Sequence, residues 1–442
     1  MIIPKELKRL AEKFPSPLFV VGGAVRDSLE GRKIHDYDLT SSLTAEKVVE
    51  LLMGTEFNVT PHSLKLGTLG IKVGSAVMEY TAFRKDSYSG SGEHSPALVE
   101  FNCSQREDAL RRDFTVNAIY YDILKGEYVD PLGGIKDVER KLLRTTREPR
   151  DVIEEDALRM LRLVRFSSAL GYAIEKNTYL AVKERAYTLK EIAIERIREE
   201  FNKILIADTV NGIEGAHIRG IELLVELGLM EHVVPELLEG IGVKQNPNFH
   251  IFDVYKHILE TVRVIPPHLR LVALLHDIGK PRSVGEDGKM HDHAPIGAGM
   301  TRVIMNRLLY PHRETERAVK LVENHMFNIK CLLGDEIIRV FILKNHDILV
   351  DLLELKKADH VGHGKLPGIS PSAIKIKEVY DEMLKNNVAF SIKELPVGGA
   401  QLIENKIKPI ERAKVLSALL EHGAYIGRAL SKEECIDFIK AC

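Results

Sequence analysis

Two aspartates, Asp36 and Asp38, stand two residues apart in His35-Asp36-Tyr37-Asp38-Leu39-Thr40. On an extended strand, residues i and i+2 share a face, so both carboxylates would point the same way. Such a pair can hold two Mg²⁺ ions ~3.5–4 Å apart, the spacing that in-line displacement at phosphorus needs. One ion would activate an attacking hydroxyl; the other would neutralise a leaving pyrophosphate. A third acid is expected to help fix the ions, and Glu79 in Met78-Glu79-Tyr80-Thr81 is the candidate. Upstream, Gly22-Gly23 precedes a short helix carrying Arg26. Glycines let the backbone approach phosphate closely, a helix N-terminus favours anions, and an arginine can clamp a triphosphate with two parallel N–H groups. Taken alone, a D-x-D pair or a Gly-Gly turn is more often merely solvated; it is their joint spacing that points to chemistry.

A second constellation could select a base. Arg111-Arg112-Asp113-Phe114-Thr115-Val116-Asn117-Ala118 offers Arg112 for a phosphate or ribose. Asp113 and Asn117 offer polar groups for ribose hydroxyls. Further on, Asp156 and Arg159 are spaced i and i+3, which puts them on one face of a helix. A plain helical ion pair is the simpler account. The sharper one is a template made of side chains. Cytosine and adenine each present an amino group beside a ring-nitrogen acceptor, so a carboxylate can accept while a guanidinium donates. Uracil and guanine present a carbonyl and an N–H there, and both contacts become buried mismatches, which discriminate strongly. Arg162 and Arg165 follow at three-residue steps and could reach phosphates or the base.

A third constellation is rich in histidine: 11 of the 17 histidines fall between His250 and His363. Within that stretch, His257, then His276-Asp277, then Asp359 form an ordered H…HD…D set. Imidazole nitrogens with carboxylates suit Mn²⁺, Ni²⁺, Fe²⁺ or Mg²⁺. Metal-activated water could then attack a phosphate ester. His293 and His325 could complete a second metal position.

Val20-Val21-Gly22-Gly23-Ala24-Val25-Arg26-Asp27 followed by Asp36-x-Asp38-x-Thr40 resembles the signature of class II tRNA nucleotidyltransferases and bacterial poly(A) polymerases. These belong to the polymerase-β-like nucleotidyltransferase superfamily. The resemblance continues through the Arg111–Ala118 run, Asp130-Pro131-x-Gly133-Gly134, Glu155–Phe166 and Glu195-Arg196-Ile197-Arg198-Glu199-Glu200. It reaches Pro235-Glu236 and Gln245 and weakens over the last 80 residues. It implies that Asp36 and Asp38 are metal ligands, that Asp156 and Arg159 choose the base, and that CTP, ATP and tRNA are the substrates. The later histidines look like the HD phosphohydrolase domain that some members carry, which implies a 2′,3′-cyclic phosphate or 2′-phosphate substrate. Asp292-His293-Ala294 departs from the Gly-His-Glu often found there, and His360 and His363 match no family role.

The implied activity is addition of C, C and A to a tRNA 3′ end. A poly(A) polymerase is the first alternative. Its Gly-(Arg/Lys)-(Arg/Lys)-Phe pattern is replaced here by Leu66-Gly67-Thr68-Leu69-Gly70-Ile71, which looks like the tRNA branch. A CC-adding enzyme is the second alternative. Such relatives lack an intact loop before the RRDF motif, whereas residues 85–104 supply one. An HD phosphohydrolase with an RNA-binding head is a reading from another class; the intact Asp36, Asp38, Asp156 and Arg159 speak against it.

These groups need elements to position them. Pro17–Val21, Tyr37–Thr40, Leu69–Val73 and Val77–Phe83 read as strands, with a short helix from Ala24 to Glu30. Residues 85–104 read as a mobile polar loop. From about residue 139 apolar positions recur at helical spacing. The expected fold is multidomain α/β plus all-α. It comprises a nucleotidyltransferase head (1–138), a helical neck with the base-selecting helix (139–204), a helical body (205–248), an HD domain (249–363) and a helical tail (364–442).

The chain of 442 residues is long enough for several cores. It has no run of 18 apolar residues, so no membrane partner is expected. The start, MIIPKELKRLAEKF, reads as an amphipathic helix and not as a signal peptide, so a cytoplasmic protein is expected. Cys103, Cys331, Cys435 and Cys442 fit no zinc or disulfide spacing and are expected as free thiols. A net charge of −2 is unusual for a nucleic-acid binder, so positive charge must be local. Residues 139–166 carry eight basic side chains against six acids. Recognition would rest on the shape of the RNA, through phosphates and 2′-hydroxyls.

Overall fold

Short apolar runs in the first part of the chain become strands because every second side chain can be buried. They are β1 (Phe19–Val21), β2 (Asp38–Ser41), β3 (Val59–Ser63), β4 (Thr68–Val73), β5 (Ala76–Ala82), β6 (Lys85–Ser87), β7 (Leu98–Glu100), β8 (Tyr120–Asp122) and β9 (Glu127–Val129). The computed structural model describes residues 1–87, 98–285, 290–365 and 368–442. These fall into two units, Met1–Val233 and Val234–Cys442. The division lies inside the 205–248 segment expected as a body.

In the first unit seven strands form one sheet in the order β3-β4-β5-β2-β1-β8-β9. Only β2 and β5 run parallel; the other neighbours are antiparallel. Met78, Tyr80 and Ala82 of β5 are buried and Glu79 between them is not. Tyr80 is anchored by its hydroxyl to the Leu43 carbonyl at 2.6 Å. Phe19, Phe83 and Tyr120 meet with ring centroids 6.0 Å apart, which fixes β1 against β8.

Two expectations need correction here. The second strand starts at Asp38, so Asp36 lies in the preceding irregular segment and does not share a strand with it. The 85–104 segment is partly regular: β6 pairs antiparallel with β7, Lys85 opposite Glu100. Residues 88–97, the centre of the expected loop, lie outside the described residues.

Helices follow, as the periodicity predicts. Leu158–Leu170 packs against Ile194–Leu205 and Ala216–Glu226. It is buried on most of its surface and therefore sits as the central rod. Asp156 is not on this helix, contrary to the expected i, i+3 pair. The helix Pro149–Glu155 ends at Asp156, whose backbone is extended (φ −150°, ψ 99°). The Asp156 carboxylate accepts the Leu158 N–H at 3.1 Å. Aspartate competes with the helical hydrogen bonds in this way, which is why it favours helix ends.

Among the described residues the second unit's regular elements are helices, with one isolated bridge between Val284 and Met290. Val254–Val264 packs against Leu349–Gly362, and His293–Arg307 against His312–Asn324. Gly279 makes a close crossing possible: a Cβ there would lie 2.3 Å from the His293 carbonyl oxygen and 2.5 Å from the Gly297 nitrogen. A separate apolar cluster around Leu402, Leu419 and Cys435 closes the tail. All four cysteines are free thiols. No described helix is long and apolar enough to cross a membrane.

Candidate functional site

In the first unit, strand pairing sets the acids. Leu39 lies opposite Tyr80 and Thr40 opposite Thr81, so Asp38 and Glu79, one step back on each parallel strand, are neighbours on the other face. The turn after β1 closes over Asp38. Gly22 has φ +78°, and a Cβ there would stand 3.2 Å from Asp38 Oδ2. Both the backbone angle and the approach require glycine. The surface of Asp38 reaches solvent, yet the protein packed around it raises its carboxyl pKa. Glu79 and Asp36 push the same way, while Arg112 and Arg162 oppose them. Like charges gathered with partial desolvation are what a cation would relieve. Among the described residues, however, Asp36, Asp38 and Glu79 do not form a group whose oxygens all lie within 4.8 Å of one another.

A cavity of about 450 Å³ opens beside Asp38. Of the residues expected from the sequence, Gly22, Gly23, Arg26, Asp38, Arg112, Asp113, Asn117, Asp156, Arg159 and Arg162 line it. Asp36, Glu79 and Arg165 do not. Arg111, Leu158, Phe166 and Arg196 complete the lining. Six arginines against three aspartates give this cavity the local positive charge that the whole chain lacks.

Each arginine is held in place. Arg26 donates to Asp27 (2.9 and 2.7 Å) and to Asn117 (2.8 Å). Arg112 donates to Asp108 at 3.2 and 3.1 Å. Arg162 donates to Asp113 at 2.8 and 2.6 Å. Burial works against a charged Asp113, but Arg162 overrides it and brings the pKa down to about 2. Arg159 donates to the carbonyls of Val152 and Arg111 (both 2.8 Å) and to Glu155 (3.2 Å). A guanidinium has five N–H donors, so Nε–H and one Nη2–H stay available. Arg196 donates to Asp156 at 3.1 Å. Arg165 instead pairs with Glu200 at 2.6 Å. The Phe166 ring lies under the guanidinium groups of Arg26, Arg162 and Arg165, at 5.5, 5.3 and 4.2 Å.

Sequence reasoning passed over Asp108. It is fully buried and accepts from Arg111 (2.8 Å), Arg112 and the Tyr120 hydroxyl (2.6 Å). Its spacing of three and four residues before the arginine pair was the available signal. Arg196 and Phe166 lay within quoted motifs but carried no role, because partners 40 residues away are not visible in a motif.

In the second unit, His257, His276, Asp277 and Asp359 converge with one ligand atom each within 4.8 Å of the others, all buried. Asp277, His293 and His325 form an adjoining group. The expected ligands are thus brought together. His257 Nε2 is 3.0 Å from Asp277 Oδ2 and 3.1 Å from Asp359 Oδ1. His276, His293 and His325 each direct Nδ1 at the carbonyl three residues earlier, Ala273 (2.7 Å), Met290 (3.2 Å) and Val322 (2.6 Å). A carbonyl can only accept, so Nδ1 carries the proton and Nε2 is left as the ligand atom, the usual orientation of a metal-binding histidine. Burial opposes charge on His276, yet Asp277 and Asp359 push its pKa up to about 10. Lys280 reaches Asp277 (2.5 Å) and Gln245 (2.7 Å). A cavity of about 550 Å³ adjoins this group, lined by Phe249, Met326, Lys280, Lys330 and His360 among others.

Family models match three stretches: a poly A polymerase head domain over residues 18–144, a probable RNA and SrmB-binding site of polymerase A over 171–240, and an HD domain over 250–361. An A-adding tRNA nucleotidyltransferase of Deinococcus radiodurans is 31% identical over 97% of this chain and 96% of its own length. A CC-adding tRNA nucleotidyltransferase of Thermus thermophilus is 30% identical over 96% of this chain and 93% of its own length. The crystal structure of a Bacillus stearothermophilus CCA-adding enzyme in complex with CTP shares the fold, with a TM-score of 0.69 and 24% identity over 100% of this chain and 98% of that one. The chain therefore belongs to the family of tRNA nucleotidyltransferase enzymes that includes the CCA-adding enzymes, and it carries the family's poly(A) polymerase-type head together with an HD domain.

Proposed function

We propose that the first unit adds C, C and A to the 3′ end of tRNA from CTP and ATP. One observation carries this: a single cavity joins Asp38, the arginines 26, 112 and 162, and the pair Asp156 and Arg159. Asp36, Asp38 and Glu79 would hold Mg²⁺. When bound, Mg²⁺ supplies activation of the attacking hydroxyl and neutralisation of the departing pyrophosphate. Arg26, Arg112 and Arg162 would grip the triphosphate, their orientations set beforehand by Asn117, Asp108 and Asp113. Asp113 and Asn117 would also meet the ribose. Asp156 would accept the amino group of cytosine or adenine, and the free donors of Arg159 would meet the ring nitrogen. Phe166 offers a flat face under the arginines. Arg165, tied to Glu200, would act from behind that ring.

A second reading, partial addition, is favoured by the two full-length relatives, one named A-adding and the other CC-adding. The test is incubation with tRNA ending at the discriminator base, CTP and ATP being given together and separately. Three added residues uphold CCA addition. Two C residues with ATP present indicate CC addition. A tRNA ending in CC is run in parallel, and a single A added there with nothing added at the discriminator base indicates A addition. A long A tail indicates a poly(A) polymerase, and no addition to either tRNA leaves the phosphohydrolase reading.

For the second unit, His257, His276, Asp277 and Asp359 would hold a divalent transition metal or Mg²⁺, with His293 and His325 completing a second position at Asp277. Bound metal supplies an activated water for attack on a phosphate ester. Lys280 and Lys330 would attract the phosphate, and Phe249 and Met326 would receive an apolar base. The substrate class is a 2′,3′-cyclic phosphate or 2′-phosphate at an RNA end. Hydrolysis of 2′,3′-cyclic AMP by wild type and not by His276→Ala is expected; equal rates would reject it.

A further inference from the structure

Among the histidines of the second unit that the HD signature leaves without a task are His250 and His363. The fold brings both to His257. The His250 ring centroid lies 4.1 Å from that of His363 and 4.9 Å from that of His257, and His257 lies 5.2 Å from His363. One ligand atom from each ring lies within 4.8 Å of the other two.

The placement is built by the backbone. His257 sits on the helix Val254–Val264. His363 caps the helix Leu349–Gly362, one turn beyond Asp359. His250 precedes the first helix, and its segment is clasped to the second: the Ile251 N–H donates to the His363 carbonyl at 3.3 Å. Gly364 has φ +70°, and a Cβ there would come within 2.6 Å of Phe252, so the two segments close tightly at this point.

The hydrogen-bond count separates these rings from the other ligands. His276, His293 and His325 each give Nδ1–H to a carbonyl. The Nδ1 atoms of His250, His257 and His363 are buried and have no hydrogen-bond partner among the described residues. His257 itself is fully buried. A buried polar atom without a partner is unfavourable, and three in one place call for a common partner. Carboxylates here are already engaged: Asp359 is 3.1 Å from His257 Nε2 and 3.6 Å from His363 Nε2. Three imidazole nitrogens and no thiolate suit Zn²⁺, Ni²⁺ or Co²⁺.

We propose that His250, His257 and His363 hold a further divalent transition-metal ion, beside the carboxylate-bearing HD centre and distinct from it. His257 serves both positions, Nε2 at the carboxylates and Nδ1 at the new ion. With both positions filled, the His257 ring would give up its N–H proton to solvent. The ion lies at the wall of the 550 Å³ cavity, which His250 and His363 also line. A phosphate entering there would meet it.

The inference adjoins the proposed HD centre but does not need that centre to be a hydrolase. The test is metal content of the full-length protein, stripped with chelator, reloaded with Co²⁺ and desalted. Wild type is compared with His250→Gln, His363→Gln and His325→Ala, each checked by circular dichroism in the stripped form. His250→Gln and His363→Gln should each hold one ion per chain fewer than wild type and lose part of the visible Co²⁺ absorption. His325→Ala should lose a different part of it. Unchanged ion content in both glutamine variants would overturn the proposal and leave the two rings as cavity lining only. Hydrolysis of 2′,3′-cyclic AMP is scored in parallel. A lower ion count with no wild-type hydrolysis upholds the site and rejects the hydrolase; an unchanged count with active hydrolysis does the reverse.

Discussion

The two units build their candidate sites in opposite ways. In the second, His257, His276, Asp277 and Asp359 are buried and already gathered, and His276, His293 and His325 are oriented by backbone carbonyls. In the first, the acids stay apart on an open face while the arginines are pinned. Carboxylates repel one another, and in the second unit His257 and His276 stand against both Asp277 and Asp359 and offset that repulsion. The first site prepares its grip on an anionic substrate; the second prepares its grip on a metal.

The largest expected effect tests whether the two sites are independent. Asp38→Asn should lower CTP incorporation by about 10³-fold or more and leave 2′,3′-cyclic AMP hydrolysis unchanged. His276→Ala should do the reverse. Steady-state rates of both reactions on both variants decide it, and either variant losing both activities would break the comparison.

Next comes the pinning of the arginines. Burial disfavours charge on Asp108, but Arg112 and Arg111 overcome it and bring the pKa down to about 2. A depressed carboxyl gives stability that is complete above its unfolded pKa of ~3.9 and is lost as pH falls through the folded value. Asp108→Asn should therefore unfold more easily than wild type by ~3–5 kcal/mol near neutrality, since both arginines lose their buried partner. The gap should narrow between about pH 4 and pH 2. Urea unfolding across that range measures it; a gap independent of pH would mean that Asp108 acts by shape and not by charge.

A smaller effect is expected at Arg196, which reaches the cavity only to hold Asp156. Arg196→Ala should raise KM for CTP by about tenfold, the worth of one charged hydrogen bond, with kcat little altered. Single-nucleotide incorporation on a tRNA primer separates the two constants. A loss confined to kcat would place Arg196 at the reacting atoms instead.

The glycine turn and the arginine motif were legible because each lies within a few residues of its partner, and the HD ligands because they keep the order H…HD…D; the acid pair was read on one strand, whereas Asp36 lies before it. The head sheet was partly legible: β4 and β5 alternate cleanly, whereas β3 is exposed along most of its length and gives no apolar signal. Asp156 was placed on a helix because spacing alone cannot show a carboxylate taking the N–H of Leu158. Glu79 proved to be set by the parallel register of β2 with β5, a contact no local pattern encodes. Asp108 was missed because a buried hub looks, in sequence, like any acid beside arginines. His250 and His363 meet only because the segment before Val254–Val264 closes on the end of Leu349–Gly362, a contact distant in sequence.

The central claim is that side chains choose the base. Its most direct measurement is kcat/KM for CTP against UTP on a tRNA ending at the discriminator base, for wild type, Asp156→Asn and Arg159→Ala. Wild type should reject UTP strongly. Both variants should narrow the ratio by about 10- to 100-fold, chiefly by losing CTP, since each substitution removes one contact worth ~1–3 kcal/mol. Variants that lose CTP and UTP incorporation equally, with the wild-type ratio intact, would contradict a protein template at Asp156 and Arg159.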